Sequence, residues 1–362
     1  MTRRANAYAQ IHALGAARAC AALLLLLAAT LSAPRIEAQV ASFARLGKDV
    51  LDVMPPSERV SGPPGAMAVV NAQCSNEPSA DLRRRIVEIA AQEWGFFGFP
   101  VVDQTEPPPP QPPGQRPRRP PTWLDPAESN RVASTIAGYW TATPDGAWIL
   151  TRQNGIWRGP MGVGARWRDA WSAAFISWVM CSAGVADADR FERAIAHYTY
   201  IDQAIEASTV RGSHTAFVAY DVGVVPIEPG DLLCSSRRNG YRTIADRKRH
   251  LGTAARSHCD IVVYVDRPRA RIMTIGGNVR GAVSLKLQYA QSAASDDRLH
   301  RAVGHAGRAI FAHLRLEAAP IDDAAFLDTP TIRALSDDAV LRNTVEGKLG
   351  FELELGDARP SS

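Results

Sequence analysis

The sequence predicts an α+β fold in which N-terminal helices pack on an antiparallel β-sheet. Several stretches between residues 79 and 208 space their apolar residues as amphipathic or buried helices do. Residues 215–289 then hold short β-branched stretches separated by turn residues, which is typical of strands joined by hairpins. Because the helical stretches precede the strands and do not alternate with them, an α+β arrangement is favoured over a parallel α/β sheet. A chain of 362 residues, 46% hydrophobic, can bury a sizeable core.

We expect four helices and five strands in this region. The helical stretches are residues 79–98, 126–143, 167–184 and 190–208, and Ser79 is placed to cap the first of them. The strand stretches are residues 215–221, 230–234, 259–266, 271–277 and 282–289.

Four segments follow from this pattern. Residues 1–38 are predicted to be a signal peptide, and residues 39–80 a Pro-rich, extended lead-in. Residues 81–316 form the α+β domain, interrupted at 106–121 by a polyproline loop, since proline fixes φ and lacks the amide donor. Residues 317–362 are an acidic tail with one helix followed by disorder.

The N-terminus has the features of a secretory signal. Arg3, Arg4 and Arg18 precede the apolar run "ACAALLLLLAATLSA", which is short for a membrane span of about 20 residues. Cleavage after Ala33 or after Ala38 fits equally, and an uncleaved anchor is the alternative, which would be the only membrane contact expected. We therefore predict a periplasmic or secreted protein. The formal charge of +4 comes with no RNA- or DNA-binding motif, so no nucleic-acid partner is expected.

Four cysteines remain after the signal, in a compartment where disulfides form. Cys74, Cys181, Cys234 and Cys259 allow three pairings, and Cys234 with Cys259 is favoured because both lie on strands expected to be neighbours. No CxxC and no Cys/His cluster with zinc spacing occurs, so neither a metal site nor a cofactor is predicted.

The stretch "WRDAWSAAFISWVMCSAG" (167–184) is apolar on every side, as expected of a buried helix. Asp169 is placed to cap its start and Gly184 to end it. Ser172 would then lie in the first turn, where free N–H groups and the helix dipole favour negative charge. The plain alternative is a serine that only caps the helix. Cys181 lies nine residues further on and faces the opposite side.

The strand stretches add two polar groups. In "SHCDIVVYVD" strand alternation places His258 and Asp260 on one face and Cys259 on the other. Asn278 follows at the end of the next stretch, beside the start of its antiparallel neighbour. A nucleophile, a base and an orienting group would then be Ser172, His258 and Asn278. Taken singly, His258 and Asn278 are equally explained as structural residues.

These motifs in this order resemble a known clan. "W-S-A-A-F-I-S-W…A-G", "PGD" (229–231), "H-x-D-I-V-V" and "G-G-N…V-S" look like the papain-like amidases, which include the NlpC and CHAP cell-wall hydrolases. Within that clan the chain most resembles the bacterial domain of unknown function 2272. The resemblance implies a papain-like fold with Ser172 in place of the usual nucleophilic cysteine, His258 as base and Asn278 as orienting residue.

The resemblance also implies a function. We expect an exported amide hydrolase that acts on peptidoglycan peptides. A serine hydroxyl ionises less readily than a thiol, so it would need its base during attack and good oxyanion donors. The alternative is an inactive papain-like domain that binds peptidoglycan or a periplasmic protein.

Further residues are candidates for the walls of a substrate cleft: Trp171, Asp260, His197 and Tyr200. His197 and Tyr200 share a helix face at i, i+3. Core packing is the alternative explanation for the aromatic residues. The basic segment 235–257 carries seven Arg or Lys and one Asp and could hold an anionic substrate, or it could be a solvated loop.

Overall fold

The β-branched stretches assemble into one eight-stranded sheet in a computed structural model of the chain. The structure describes residues 43–75, 81–107, 122–210, 212–237, 240–294, 296–305 and 308–353. The sheet order is β3-β8-β7-β6-β5-β10-β4, with β9 paired to β8. Only β3 and β8 are parallel, so the sheet is mainly antiparallel, as predicted. Its strands are β3 (Val101–Asp103), β4 (Phe217–Tyr220), β5 (Leu232–Ser236), β6 (Ser257–Asp266), β7 (Arg271–Val279), β8 (Ala282–Ala293), β9 (Asp296–Ala302) and β10 (Ile310–Leu316).

The α+β class is therefore confirmed, and the described residues hold more elements than the sequence indicated. Strands β3, β9 and β10 were not predicted. A separate two-stranded hairpin, β1 (Val60–Ser61) with β2 (Ala68–Val69), lies in the stretch expected to be extended. The predicted polyproline loop falls largely on residues 108–121, outside the described ranges.

Nine α-helices are found in the described ranges: α1 (Leu82–Phe96), α2 (Pro126–Arg131), α3 (Ala133–Trp140), α4 (Gly146–Trp157), α5 (Ser172–Ser182), α6 (His197–Ala207), α7 (Ile244–Lys248), α8 (Pro330–Arg333) and α9 (Ala339–Leu349). Helix α4 was not predicted, and the stretch 126–143 forms two helices because the chain turns at Val132. Helix α7 lies inside the expected basic loop, where Thr243 and Asp246 form a reciprocal capping box. Ser79, the expected cap of α1, is outside the described residues.

Helix α6 is shorter than predicted and begins at His197. Residues 190–196 form hydrogen bonds outside a helix, since Arg193 donates to the carbonyl oxygens of Ala142 and Val185. The backbone of Ala196 is extended, so the helix cannot include it. Because of this boundary His197 lies at a helix start.

The segments at both ends of the domain contribute to its core. Leu51 and Val53 from the lead-in are buried in the main apolar cluster, as are Phe326 and Leu349 from the acidic segment. Helices α8 and α9 occupy that segment, where one helix was expected, and residues 354–362 are outside the described ranges.

The two faces of the sheet differ in what they contact. Helix α5 lies on the face that carries Cys259 and Ile275, and a Cβ at Gly277 on this face would sit 2.5 Å from the Cβ of Phe175. The opposite face carries His258 and Asp260. On the neighbouring strand β5, His258 is paired with Ser235 and Asp260 with Leu233. Glycine at 277 is thus required for the close approach of α5 to β7.

Two disulfides link these elements. Cys234 pairs with Cys259 across neighbouring strands β5 and β6, so the favoured pairing is confirmed. Cys74 pairs with Cys181 and joins the lead-in to the end of α5.

The "PGD" motif serves the fold. Arg83 of α1 is fully buried and donates to the carboxylate of Asp231 at 2.7 Å and to the carbonyl of Pro229 at 2.7 Å. Asp231 also accepts the backbone N–H of Leu316 and bonds His313. Gly230 has φ +93°, and a Cβ there would crowd Arg83. The motif therefore ties α1 to strands β5 and β10.

Within the described residues, none of the helices has the length and apolar character needed to cross a bilayer.

Candidate active site

Ser172 is the first residue of α5 and is 5% exposed. Trp171 occupies the cap position, and no side chain caps this helix start. The expected cap, Asp169, forms an ion pair with Arg152 instead. Gly184 adopts φ +93° just after the helix, as predicted for a terminating glycine.

The hydroxyl of Ser172 pairs with His197. Ser172 Oγ lies 2.7 Å from Nε2 of His197, whose side chain extends from the first residue of α6. The hydroxyl of Tyr200, one turn further along α6, bonds Nδ1 of the same ring. The backbone N–H of Cys259 also donates to this Nδ1, at 3.3 Å. One buried imidazole thus connects the starts of α5, α6 and β6.

A second buried histidine lies beside the first. His258 and His197 are each 4% exposed, and their ring centroids are 5.2 Å apart in an edge-to-face contact. His258 Nε2 lies 2.9 Å from Asp260 Oδ1, and Lys286 Nζ lies 2.6 Å from the other carboxylate oxygen. Gly276 leaves room for this group, since a Cβ there would collide with the Asp260 carboxylate.

The structure does not form the expected hydrogen bond between Ser172 and His258. Nε2 of His258 is used by Asp260, and Nδ1 is buried without a hydrogen-bond partner among the described residues. The physical reason is strand alternation: His258 lies on the sheet face opposite α5, while Ser172 comes from the helix side, and His197 lies between them. The partner of Ser172 is His197, which the sequence suggested only as a cleft wall.

Asn278 does not orient His258 either. It lies in the left-handed region (φ +56°) where β7 bulges away from its ladder with β8. The carboxylate of Asp260 is what holds the His258 ring. Sequence reasoning placed Asp260 on the correct face but gave the orienting role to Asn278, and it missed Lys286, whose signal is only a charged residue in an otherwise apolar strand.

Burial sets the charge state of the cluster. Burial lowers the pKa of His197 well below its usual value, and the nearby His258 lowers it further. Burial also lowers the pKa of His258, although Asp260 opposes this effect. Burial alone would raise the pKa of Asp260, but His258 and Lys286 outweigh it and lower that pKa. At neutral pH the site therefore holds two neutral imidazoles beside a Lys286–Asp260 ion pair.

Two other candidate wall residues are part of the core or close to it. Trp171 is buried between the rings of Phe97 and Tyr139, with centroid distances of 5.9 and 5.7 Å, so it packs the helix start and does not line an open cleft. Tyr200 is buried as well and stacks on Phe191. Both side chains therefore pack in the core behind the site.

The basic segment contributes in part. The positive charge of Arg237 lies close enough to lower the pKa of both histidines. Arg247, in contrast, is buried in a two-pronged ion pair with Asp202, at 2.7 and 2.6 Å, and so holds α7 against α6. The basic segment therefore serves both the electrostatics of the site and the packing of α7.

A small polar cavity lies beside the Asp260 carboxylate on the sheet face opposite α5. Its volume of about 30 Å³ is room for one or two water molecules. Its polar lining comes from Asp260, Lys286, Gln288, Gln104, Ser235, His305 and Arg308. The described residues contain no group of three or more His, Cys, Asp or Glu side chains arranged to hold a metal ion.

Fold and site together define an α+β protein with a mainly antiparallel sheet and a buried serine–histidine pair at a helix start. Residues 128–299 match the family model described as "Uncharacterized protein conserved in bacteria (DUF2272)", which supports the resemblance to that family of unknown function. The matched range contains Ser172, His197 and His258. No curated protein and no solved structure matches the chain.

Proposed function

We propose that this chain is an exported amide hydrolase of papain-like type that cleaves peptidoglycan peptides, with Ser172 as nucleophile. The observation that carries the proposal is the 2.7 Å separation of Ser172 Oγ and His197 Nε2 at a helix N-terminus. A hydroxyl within hydrogen-bond reach of a neutral imidazole has the base that serine needs for attack. The proposal therefore assigns the base role to His197.

The reaction would run as an acyl transfer. Ser172 Oγ attacks the amide carbonyl and gives its proton to His197 Nε2, which then protonates the leaving amine. The free N–H groups of the first turn of α5 would stabilise the oxyanion. A water molecule, deprotonated by the same imidazole, releases the acid. For this, His197 must carry its proton on Nδ1, donated to the Tyr200 hydroxyl, at the moment of attack.

Several features are compatible with the setting. Two disulfides fit an oxidising compartment outside the cytosol. A nucleophile at a helix start fits the papain-like resemblance, whereas the proposed base, His197, begins helix α6 and is not the strand histidine that the resemblance implies. Arg237 adds positive charge near the site for the carboxylates of stem peptides. Since Ser172 is 5% exposed, substrate entry requires the site to open.

One observation favours a second candidate function, a non-catalytic domain that binds peptidoglycan or a periplasmic protein. The N–H of Cys259 approaches Nδ1 of His197, and a backbone N–H can only donate. In that arrangement Nδ1 is an acceptor and the Ser172–His197 bond runs from the ring to the hydroxyl. The cluster would then be a structural link between α5, α6 and β6.

Covalent labelling separates the two functions. The oxidised, purified protein is treated with a fluorophosphonate, and the labelled peptide is identified by mass spectrometry. The hydrolase proposal predicts labelling at Ser172 that is lost in Ser172→Ala and in His197→Gln. Ser177→Ala is the matched control, because this serine lies on the same helix and bonds Ala194 rather than a histidine.

A substrate assay completes the test. Purified peptidoglycan incubated with the protein should release soluble peptides, and Ser172→Ala should release none. Binding of Ser172→Ala to the same peptidoglycan without any release by the wild type would establish the second candidate. Loss of labelling in His258→Gln, with labelling intact in His197→Gln, would assign the base to His258 and contradict the role given to His197.

A further inference from the structure

The proton on the His197 ring is set by a contact outside the serine–histidine pair. A neutral imidazole carries one N–H, and the lowered pKa of His197 keeps the ring neutral at pH 7. Nδ1 receives the Cys259 backbone N–H at 3.3 Å, and such a group has no lone pair to accept with. The ring proton therefore belongs on Nε2, 2.7 Å from Ser172 Oγ.

The Cys259 N–H has no competing acceptor in the sheet. Cys234 and Cys259 face each other with their Cα atoms 4.0 Å apart, the close spacing of a non-hydrogen-bonded pair, so this N–H points away from β5. On its other side the ladder between β6 and β7 ends at the pair Ile261 and Ile275. His197 Nδ1 occupies the place that a carbonyl of β7 would otherwise take. A buried N–H left without this acceptor would be unfavourable.

We infer that Cys259 is a positioning residue: its backbone N–H, held in place by the bridge to Cys234, fixes His197 as the Nε2–H tautomer with Ser172 as acceptor. Tyr200 follows this choice, because its hydroxyl can donate or accept and its O–H turns toward the bare Nδ1.

This inference adds to the proposed function without depending on it. If the chain is a hydrolase, the resting pair has the wrong proton arrangement for attack, and the start of β6 must shift before His197 can act as base. If the chain only binds, the same tautomer is the permanent state of a structural link.

Long-range ¹H–¹⁵N correlation spectra of the histidine rings test it directly, because they distinguish Nδ1–H from Nε2–H. The His197 signals are assigned by their loss in His197→Gln. The oxidised wild type at pH 7.5 should show Nε2–H, and so should Tyr200→Phe, which keeps both disulfides. An Nδ1–H pattern in the wild type, or a change of tautomer in Tyr200→Phe, would overturn the inference.

The bridge is tested with a pair of double variants. Cys234→Ala/Cys259→Ala should add an Nδ1–H population or average the two ring nitrogens, whereas Cys74→Ala/Cys181→Ala, which removes the other bridge, should keep the wild-type pattern. Equal spectra for the two would refute the role given to the bridge. Circular dichroism confirms that each variant is folded. These readouts need no activity, so a failed labelling experiment at Ser172 leaves them interpretable.

Discussion

Replacing Gly277 with alanine perturbs the contact that places the serine. Helix α5 lies so close to β7 that the new Cβ would sit 2.5 Å from the Cβ and 2.8 Å from the Cγ of Phe175, about an ångström inside normal contact. Phe175 is one turn from Ser172, so relief of this clash moves the helix start away from His197. Overpacking of this kind costs about 1–3 kcal/mol of folding free energy.

The matched control is Gly347→Ala in helix α9, where a Cβ would meet nothing within 4 Å. Both substitutions restrict the unfolded chain equally, a gain of about 0.4–1 kcal/mol, so this contribution cancels between the two variants. The control also gains helix propensity of up to about 1 kcal/mol. We expect the two alanine variants to differ by about 1–4 kcal/mol, from the sum of the steric cost and the propensity gain.

The assay is urea unfolding followed by tryptophan fluorescence, with disulfides intact. The midpoint for Gly277→Ala should fall below that of the wild type without a change in slope, and that for Gly347→Ala should rise. In the folded Gly277→Ala protein, the His197 ring signals should also shift. A Gly277→Ala protein as stable as Gly347→Ala would show that α5 does not rest on β7 as described, and the placement of Ser172 would lose its basis.

Three further predictions concern charge and cross-links. His197 is neutral in the folded protein and takes a proton in the unfolded chain, so the free energy of unfolding should fall as the pH drops below about 6.5, by up to about 1.4 kcal/mol per pH unit for this group. In His197→Gln the urea midpoint should therefore depend less steeply on pH than in the wild type. An unchanged pH dependence would contradict the burial of His197. Asp231→Ala removes the fully buried carboxylate partner of Arg83 and leaves Arg83 paired with the less buried Glu228 at 3.1 Å. It should cost up to about 3–5 kcal/mol in the same assay, against almost nothing for the exposed Asp297→Ala. Equal urea midpoints for the two variants would exclude the structural role given to the "PGD" motif. Removing the Cys74–Cys181 disulfide, which spans 107 residues, should lower the free energy of unfolding by about 1 kcal/mol more than removing Cys234–Cys259, which spans 25 residues, because the longer loop loses more entropy in the unfolded chain. A larger loss of stability for the Cys234–Cys259 variant would show that packing in the folded state outweighs loop entropy.

Much of the architecture follows from local patterns that the sequence displays. The all-round apolar stretch at 172–182 can only be a buried helix, and alternation in β6 puts His258 and Asp260 on one face whatever the tertiary fold. The neighbouring strands also determine the Cys234–Cys259 pairing. Strand β9 was missed because most of its residues are charged, and Asp296 pairs with Arg298 and His300 inside the strand itself. In β10 the alternation is interrupted by the buried His313, whose partner Asp231 is distant in sequence.

The site itself was decided by tertiary structure. The alternation of residues along a strand predicts which side chains share a face, but it does not predict which face a helix will cover. Here α5 covers the face opposite His258. The partner of Ser172 is therefore His197, brought in by a helix whose start depends on where residues 190–196 find hydrogen-bond partners. The direction of the Ser172–His197 bond depends on a backbone N–H of Cys259, a group that every residue but proline carries and that no sequence pattern can single out.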